Sequence, residues 1–133
     1  DFVSGSGFLD IINSLLETQT AAYNLDYAFE CDDSIVWEDV SNKNKIHIYR
    51  ILQESLHNIY KHANANLVKI GIELKNNVIL LTIIDDGTGF DVNKAKTGIG
   101  LKNINARVNE IDGELQIQSR KNEGTTVKIS VPI

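Results

Sequence analysis

Four residues within one short stretch, Glu54, Asn58, Lys61 and His62, have side chains that could hold a metal ion and a phosphate group. In a helix, at about 100° per residue, they lie within an arc of about 100° and form one polar stripe. A carboxamide oxygen suits Mg²⁺, because this ion keeps several waters and takes few protein ligands beside substrate phosphates. The carboxylate could position a nucleophile, and the lysine could meet phosphate charge. An ordinary solvated helix face has the same composition, so the stripe alone leaves both interpretations open.

A second polar cluster directly follows an apolar segment: DDGTGF occupies 85–90, after VILLTII at 78–84. Alternate side chains of a strand share one face, so Asp85 falls on the apolar face of this segment. An unpaired carboxylate there is costly and needs a donor, which an adenine amino group together with bound water would supply. Gly87 and Gly89 would let a flat base approach the backbone. Taken alone, the same residues also suit a tight turn with solvated acids.

Two further features could complete a nucleotide site. GIGL at 98–101 opens a predicted helix, whose free N–H groups, reached through glycines, would suit phosphate. It is not a dinucleotide fingerprint, because Asn103 stands where a third glycine would be, and the sequence contains no GxxxxGK[ST] motif. Thr125 alternates onto the apolar face of the last strand, the face that Asp85 occupies, which predicts a hydrogen-bond site shared through water. Threonine is also common at strand starts.

The elements that must position these residues follow from hydrophobic periodicity. It predicts helices over 8–18, 44–63 and 99–111, and strands over 23–30, 68–74, 78–85, 115–119 and 127–131. The pair Asn76-Asn77 predicts a hairpin turn between the second and third strands. The third strand is apolar on nearly both faces, as a central strand would be. This order predicts an α+β fold, with helices on one face of a mixed, mostly antiparallel sheet.

Composition narrows the class of protein. The 133 residues fit one domain, 1–133, and the net charge of −5 argues against a nucleic-acid partner. The longest apolar stretch falls far short of the roughly 20 residues of a spanning helix, so we expect no direct membrane contact. A single cysteine, Cys31, suits a reducing, cytoplasmic setting. Because the sequence contains no methionine, we expect a piece of a longer protein, whose other parts could include a membrane anchor.

In chain order, the motifs resemble the N, G1, G2 and G3 elements of the GHKL ATPase superfamily. The sequences QESLHNIYKHANA at 53–65, DDGTGFD at 85–91 and GIGLKNINARV at 98–108 are similar to the catalytic, ATP-binding domain of bacterial sensor histidine kinases, in particular the short-lid branch of nitrate-sensor-like and DesK-like kinases. The resemblance covers about 8–133. It implies the Bergerat fold, a two-layer α/β sandwich with about three helices on one face of a five-stranded sheet.

The resemblance also implies residue roles. Glu54 would be the catalytic acid that assists the attacking group, Asn58 the Mg²⁺ ligand and Lys61 a phosphate contact. Asp85 would hold the adenine amino group, with Thr125 joining through water. Four glycines would shape the pocket and its lid, which would span 91–97, and they are Gly87, Gly89, Gly98 and Gly100. His62 would flank the site, and the other ATP-binding positions would be Phe90, Ile99 and Leu101.

The implied function is to bind Mg-ATP and donate the γ-phosphate to a histidine on a separate dimerisation domain, for onward transfer to a response regulator. An acidic-flanked His-Asp acceptor segment is not found in this sequence, and His47, His57 and His62 all fall in the helix of the nucleotide domain. We therefore expect a protein-histidine kinase catalytic domain that does not phosphorylate itself, its dimerisation and sensor domains lying elsewhere. The alternatives are an anti-sigma-type serine kinase and a non-catalytic nucleotide-binding module.

Overall fold

The computed structural model of the chain describes residues 7–89, 99–120 and 122–133. Its helices are α1 (Gly7–Ala22), α2 (Asn42–Asn58) and α3 (Ile99–Glu110), and its strands are β1 (Asp26–Cys31), β2 (Leu67–Lys75), β3 (Val78–Asp85), β4 (Glu114–Ser119) and β5 (Thr125–Pro132). A short 3₁₀ turn (Trp37–Asp39) precedes α2, and a π-helical segment (Ile59–Ala63) continues it.

The five strands form one sheet in the order β1-β2-β3-β5-β4. β1 pairs with β2 in parallel, and the other three pairs are antiparallel. The three helices lie on the sheet and share one apolar core with it, to which α1 contributes Phe8 and Ile12 and α2 contributes Leu52 and Leu56. The predicted α+β architecture is confirmed, with three helices on a mixed, mostly antiparallel, five-stranded sheet.

β3 lies at the centre of the sheet, as its sequence predicts. Alternate residues of β3 are buried, and the series ends with Ile83 at 2% exposure and Asp85 at 6%. Ile84 between them lies on the opposite face and is 39% exposed. The hairpin that leads into β3 turns at Asn76 and Asn77, whose φ angles of 53° and 62° match the left-handed conformation that a two-residue turn needs.

The predicted strand over 23–30 begins too early. Residues 23–25 instead cap α1, because the N–H of Leu25 donates to the Thr20 carbonyl at 2.9 Å and the N–H of Asn24 donates to Ala21 at 3.2 Å. Asn24 has a φ of 55°, which is the left-handed residue that such a helix end requires. The alternation of apolar residues therefore begins before β1, in the residues that cap α1.

The long central helix, predicted over 44–63, changes its hydrogen-bonding pattern near its end. It begins at Asn42, because the Ser41 side chain caps it by accepting from the N–H of Asn44 at 3.1 Å. After Asn58 the helix widens into the π-helical segment, which ends at Asn64 with a φ of 51°. π-Helical turns are rare and recur at functional sites.

The neighbouring isoleucines of β3 test the register that turns Asp85 inward. We expect Ile83→Ala to lower the free energy of unfolding by about 2–5 kcal/mol, because it removes a buried side chain and leaves a cavity. Ile84→Ala, at a partly exposed position of the same strand, should cost clearly less. Denaturant unfolding of both variants measures the difference. Equal or reversed costs would show that β3 is displaced by one residue.

Candidate functional site

Asp85 is a buried carboxylate at the end of the central strand, on the side of the sheet that the helices cover. Its Oδ1 accepts a hydrogen bond from the N–H of Gly87 at 2.8 Å. Burial raises the pKa of this carboxyl and the nearby charge of Asp86 adds to the effect, whereas hydrogen bonds from the backbone of Gly87 and Thr125 oppose it. The inward orientation predicted from alternation is confirmed. A buried acceptor of this kind can recognise a donor on a ligand.

Thr125 lies directly beside Asp85, because the two residues are register partners between β5 and β3. Its side chain is buried, and its hydroxyl is 2.8 Å from that of Ser119, with either oxygen able to donate. Ser119 also donates to the Gly124 carbonyl at 3.2 Å. The sequence analysis did not include Ser119, since nothing in the spacing showed that β4 would place it next to Thr125. The expected hydrogen bonding of Thr125 toward the Asp85 carboxylate through water stays a prediction.

Asp86 has a structural role on the other face of β3. Its Oδ1 accepts from the N–H groups of Asn66 at 2.8 Å and Leu67 at 3.0 Å. These hydrogen bonds hold the pKa of the Asp86 carboxyl below its ordinary value. The two adjacent acids therefore differ in environment and in the direction of their pKa shifts. Asp85 is buried, whereas Asp86 hydrogen-bonds the turn to the start of β2.

The turn that follows Asp85 packs against the end of the helical layer. The Ala63 carbonyl, the last of the π-helical segment, accepts from the N–H of Thr88 at 2.7 Å and from its hydroxyl at 3.2 Å. A Cβ on Gly87 would overlap this same carbonyl. Gly89 has a φ of 67°, and a Cβ there would overlap the Arg120 carbonyl. Both glycines therefore allow close packing against other backbone segments, at Ala63 and at Arg120. The approach of a flat base to these glycines stays a prediction.

The polar stripe of the long helix is only partly exposed. Glu54 and Asn58 are half-buried on α2, while Lys61 and His62 are exposed on the π-helical segment. The Oε1 of Glu54 accepts from the Nε of Arg107 on α3 at 3.1 Å. Its Oε2 is buried and has no hydrogen-bond partner in the part of the chain that the structure describes.

Arg107 is a second residue, after Ser119, that the sequence pattern does not reveal. It lies in the GIGLKNINARV run, but its partner Glu54 is far away in sequence, so no local spacing connects the two. The contact exists because α3 packs on α2, with Ile104 and Val108 buried on either side of Arg107.

Part of the predicted site lies outside the described residues, namely Phe90, Gly98 and the predicted lid at 91–97. Ile99 and Gly100 form the first turn of α3, and the Leu101 side chain is half-buried. Over 7–89, 99–120 and 122–133, no group of three or more His, Cys, Asp or Glu side chains could hold a metal ion. In the same ranges, every helix is too short or too polar to cross a membrane.

Comparison with known proteins gives one family match and several relatives. Residues 43–133 match the family model for histidine kinase-, DNA gyrase B-, and HSP90-like ATPases. The chain is 29% identical over 132 residues to the sensor histidine kinase LiaS of Bacillus subtilis, covering 98% of this chain and 36% of LiaS. It is 41% identical over 90 residues to the histidine-protein kinase/phosphatase DegS of Brevibacillus brevis, covering 67% of this chain and 23% of DegS.

A solved structure supports the fold. The blue-light activated histidine kinase of Erythrobacter litoralis EL346 superposes with a TM-score of 0.78 at 19% identity, over 92% of this chain and 41% of that one. The chain therefore spans well under half of the length of these relatives.

The two acids of the turn should respond oppositely to pH. The native pKa of Asp85 is raised, so its contribution to stability is present at low pH and is lost as pH rises and a buried charge must form. We expect the stability of Asp85→Asn relative to the unsubstituted chain to increase from about pH 4 to pH 7. Asp86→Asn is the matched control: the native pKa of Asp86 is lowered, so the relative stability of this variant should fall as pH rises toward about 4 and stay nearly constant from there to pH 7.

Chemical denaturation at several pH values measures both differences. Parallel pH responses of the two variants would contradict the assigned environments.

The contact between Gly87 and Ala63 gives a second prediction. Gly87→Ala should lower the free energy of unfolding by about 1–3 kcal/mol, because the new methyl group displaces the carbonyl that closes the turn. Gly71→Ala is the control, since a Cβ at Gly71 meets nothing within 4 Å. It should be neutral or stabilising by up to about 1 kcal/mol. Similar losses for both variants, measured by thermal unfolding, would argue against a tight contact at Gly87.

Proposed function

The chain belongs to the family of histidine kinase-, DNA gyrase B-, and HSP90-like ATPases, and from this premise we propose that it binds Mg-ATP and donates the γ-phosphate to a histidine on a separate dimerisation domain. The observation that carries the proposal is the buried Asp85 carboxylate at the end of β3, on the side of the sheet that the helices cover. The histidine-kinase names of the relatives support the choice of acceptor.

In this proposal Asp85 selects the base. An adenine amino group can donate a hydrogen bond, and Asp85 is a buried acceptor in apolar surroundings. Without the base, only a water molecule could take the place of that donor. Such a pair discriminates strongly, because an analogue without the donor leaves the buried carboxylate unpaired. Thr125, beside Asp85, and Ser119, hydrogen-bonded to Thr125, would supply hydroxyls that anchor the bridging water.

The stripe of α2 and its π-helical continuation would hold the phosphate end. The Asn58 carboxamide offers the hard oxygen that Mg²⁺ prefers, and a single such ligand fits an ion that keeps its waters and phosphate oxygens. When bound, Mg²⁺ supplies neutralisation of phosphate charge. Lys61 is exposed on the adjacent π-helical segment, where its ammonium would be available to a phosphate.

Glu54 would serve the transfer itself. A nitrogen of the acceptor imidazole bonds to the γ-phosphorus while the bond from that phosphorus to the β,γ-bridging oxygen breaks, and ADP leaves with the electron pair. The proton of the acceptor imidazole passes to the Glu54 carboxylate. Most of the catalysis then lies in positioning and charge neutralisation, as is general for phosphoryl transfer. The phosphoryl group on the acceptor histidine would then be transferred to an aspartate of a response regulator.

Calorimetric titration with a non-hydrolysable ATP analogue tests the proposal. The unsubstituted chain should bind it more tightly with Mg²⁺ than without, and Asp85→Asn should weaken binding by about 100-fold or more, because the replacement presents a donor to the adenine amino group. Asn58→Ala should still bind but lose the dependence on Mg²⁺. Asp86→Asn, an acid next to the site with a structural role, is the control that should bind normally.

The absence of analogue binding by the folded, unsubstituted chain would contradict the proposal. Binding whose Mg²⁺ dependence survives Asn58→Ala would contradict the role of Asn58.

A further inference from the structure

The ion pair between α2 and α3 gives Glu54 a fixed orientation. We propose that Arg107 is a positioning residue for phosphoryl transfer, which holds the Glu54 carboxylate by one of its two oxygens. This inference deepens the proposed function and depends on it, since it concerns the same acid.

The geometry of the pair supports positioning rather than masking. The Nε of Arg107 donates to Oε1 of Glu54 at 3.1 Å, and this is the contact that joins the two side chains. The second oxygen, Oε2, is buried and lacks a partner within the described ranges. A buried carboxylate oxygen without a donor is costly, so the pair is not a fully satisfied structural contact. A masking contact would instead have engaged both oxygens of the carboxylate, as a bidentate arginine does.

The pair is shielded enough for its orientation to persist. The Arg107 side chain is 33% exposed and that of Glu54 is 24% exposed, in contrast to the open pair of Arg120 and Glu123, whose side chains are 85% and 63% exposed. Fully exposed pairs contribute little and hold no fixed geometry. Ile104 and Val108, both buried, fix the turn of α3 that carries the arginine.

His47, on α2, lies close enough to Arg107 for the two to influence each other electrostatically. Burial, followed by the nearby Arg107 guanidinium and by Lys43, lowers the pKa of His47, and Glu110 only partly offsets this. His47 is therefore neutral near pH 7 and adds no positive charge beside Arg107.

The placement of Arg107 also connects two parts of the proposed site. α3 begins at Ile99-Gly100, in the motif that the sequence analysis assigned to phosphate binding, and Arg107 lies two turns further along the same helix. A rigid helix thus joins the phosphate-binding motif to the acid on α2. We infer that the position of α3 sets the position of the catalytic carboxylate.

A double-mutant cycle on transfer tests the inference. The assay supplies a dimerisation hairpin that carries the phosphoacceptor histidine in trans, and follows acid-labile phosphate from Mg-ATP. Arg107→Ala should slow transfer by about 10- to 100-fold, as expected for a misplaced catalytic group, while affinity for the ATP analogue stays unchanged. In the Glu54→Gln background, Arg107→Ala should cause no further loss, because Arg107 acts only through Glu54.

Two more variants keep the test decisive. Arg50→Ala is the matched control, since this arginine on α2 donates to Gln53 at 3.0 Å and does not contact Glu54, so transfer should be unaffected. Arg107→Lys keeps the charge but not the planar guanidinium, and should restore part of the rate. If circular dichroism shows that Arg107→Ala is unfolded, the transfer rate of Arg107→Lys tests the positioning role instead.

The possible failures differ from one another. An unchanged or faster rate for Arg107→Ala, or losses that simply add to those of Glu54→Gln, would overturn the positioning role while leaving the proposed function intact. A chain that binds the analogue but never transfers phosphate would instead overturn the histidine kinase proposal, and the role of Arg107 with it.

Discussion

The structure depends on a carboxylate that is buried where a core residue would be expected. Asp85 continues the series of inward side chains of β3, and burial makes its charged form unfavourable. Two backbone N–H groups and a neighbouring polar pair, Ser119 and Thr125, are what the fold places around it. Because the charged form of this carboxylate is costly to bury, we propose that its role is the recognition of a ligand.

The turn after Asp85 fixes the distance between that carboxylate and the helical layer. The Ala63 carbonyl, at the end of the π-helical segment, accepts twice from Thr88, and Gly87 is small enough to lie against it. Asp86 ties the other side of the turn to the start of β2. The base end of the proposed site and the polar stripe of α2 therefore belong to one rigid unit. The ion pair between Glu54 and Arg107 extends this unit to α3.

Much of this arrangement could be predicted from local pattern. Period-two alternation placed Asp85 and Thr125 on one face of the sheet, and the turn at Asn76-Asn77 followed from its residue types. Two kinds of feature could not be predicted from local pattern. Alternation cannot separate a strand from a helix cap that continues the same pattern, which is why β1 was predicted to begin before Asp26. Contacts between residues distant in sequence, such as that of Arg107, depend on how α3 packs against α2, which periodicity does not encode.

We propose that Asp85 recognises the amino group of adenine, and nucleotide selectivity is the most direct test of this role. Calorimetry should compare a non-hydrolysable ATP analogue with the matching inosine nucleotide, which differs at that position by carrying a carbonyl oxygen in place of the amino group. We expect the inosine analogue to bind at least about 100-fold more weakly, because its carbonyl oxygen, an acceptor, would then face the buried Asp85 carboxylate. Equal affinity for the two nucleotides would contradict it.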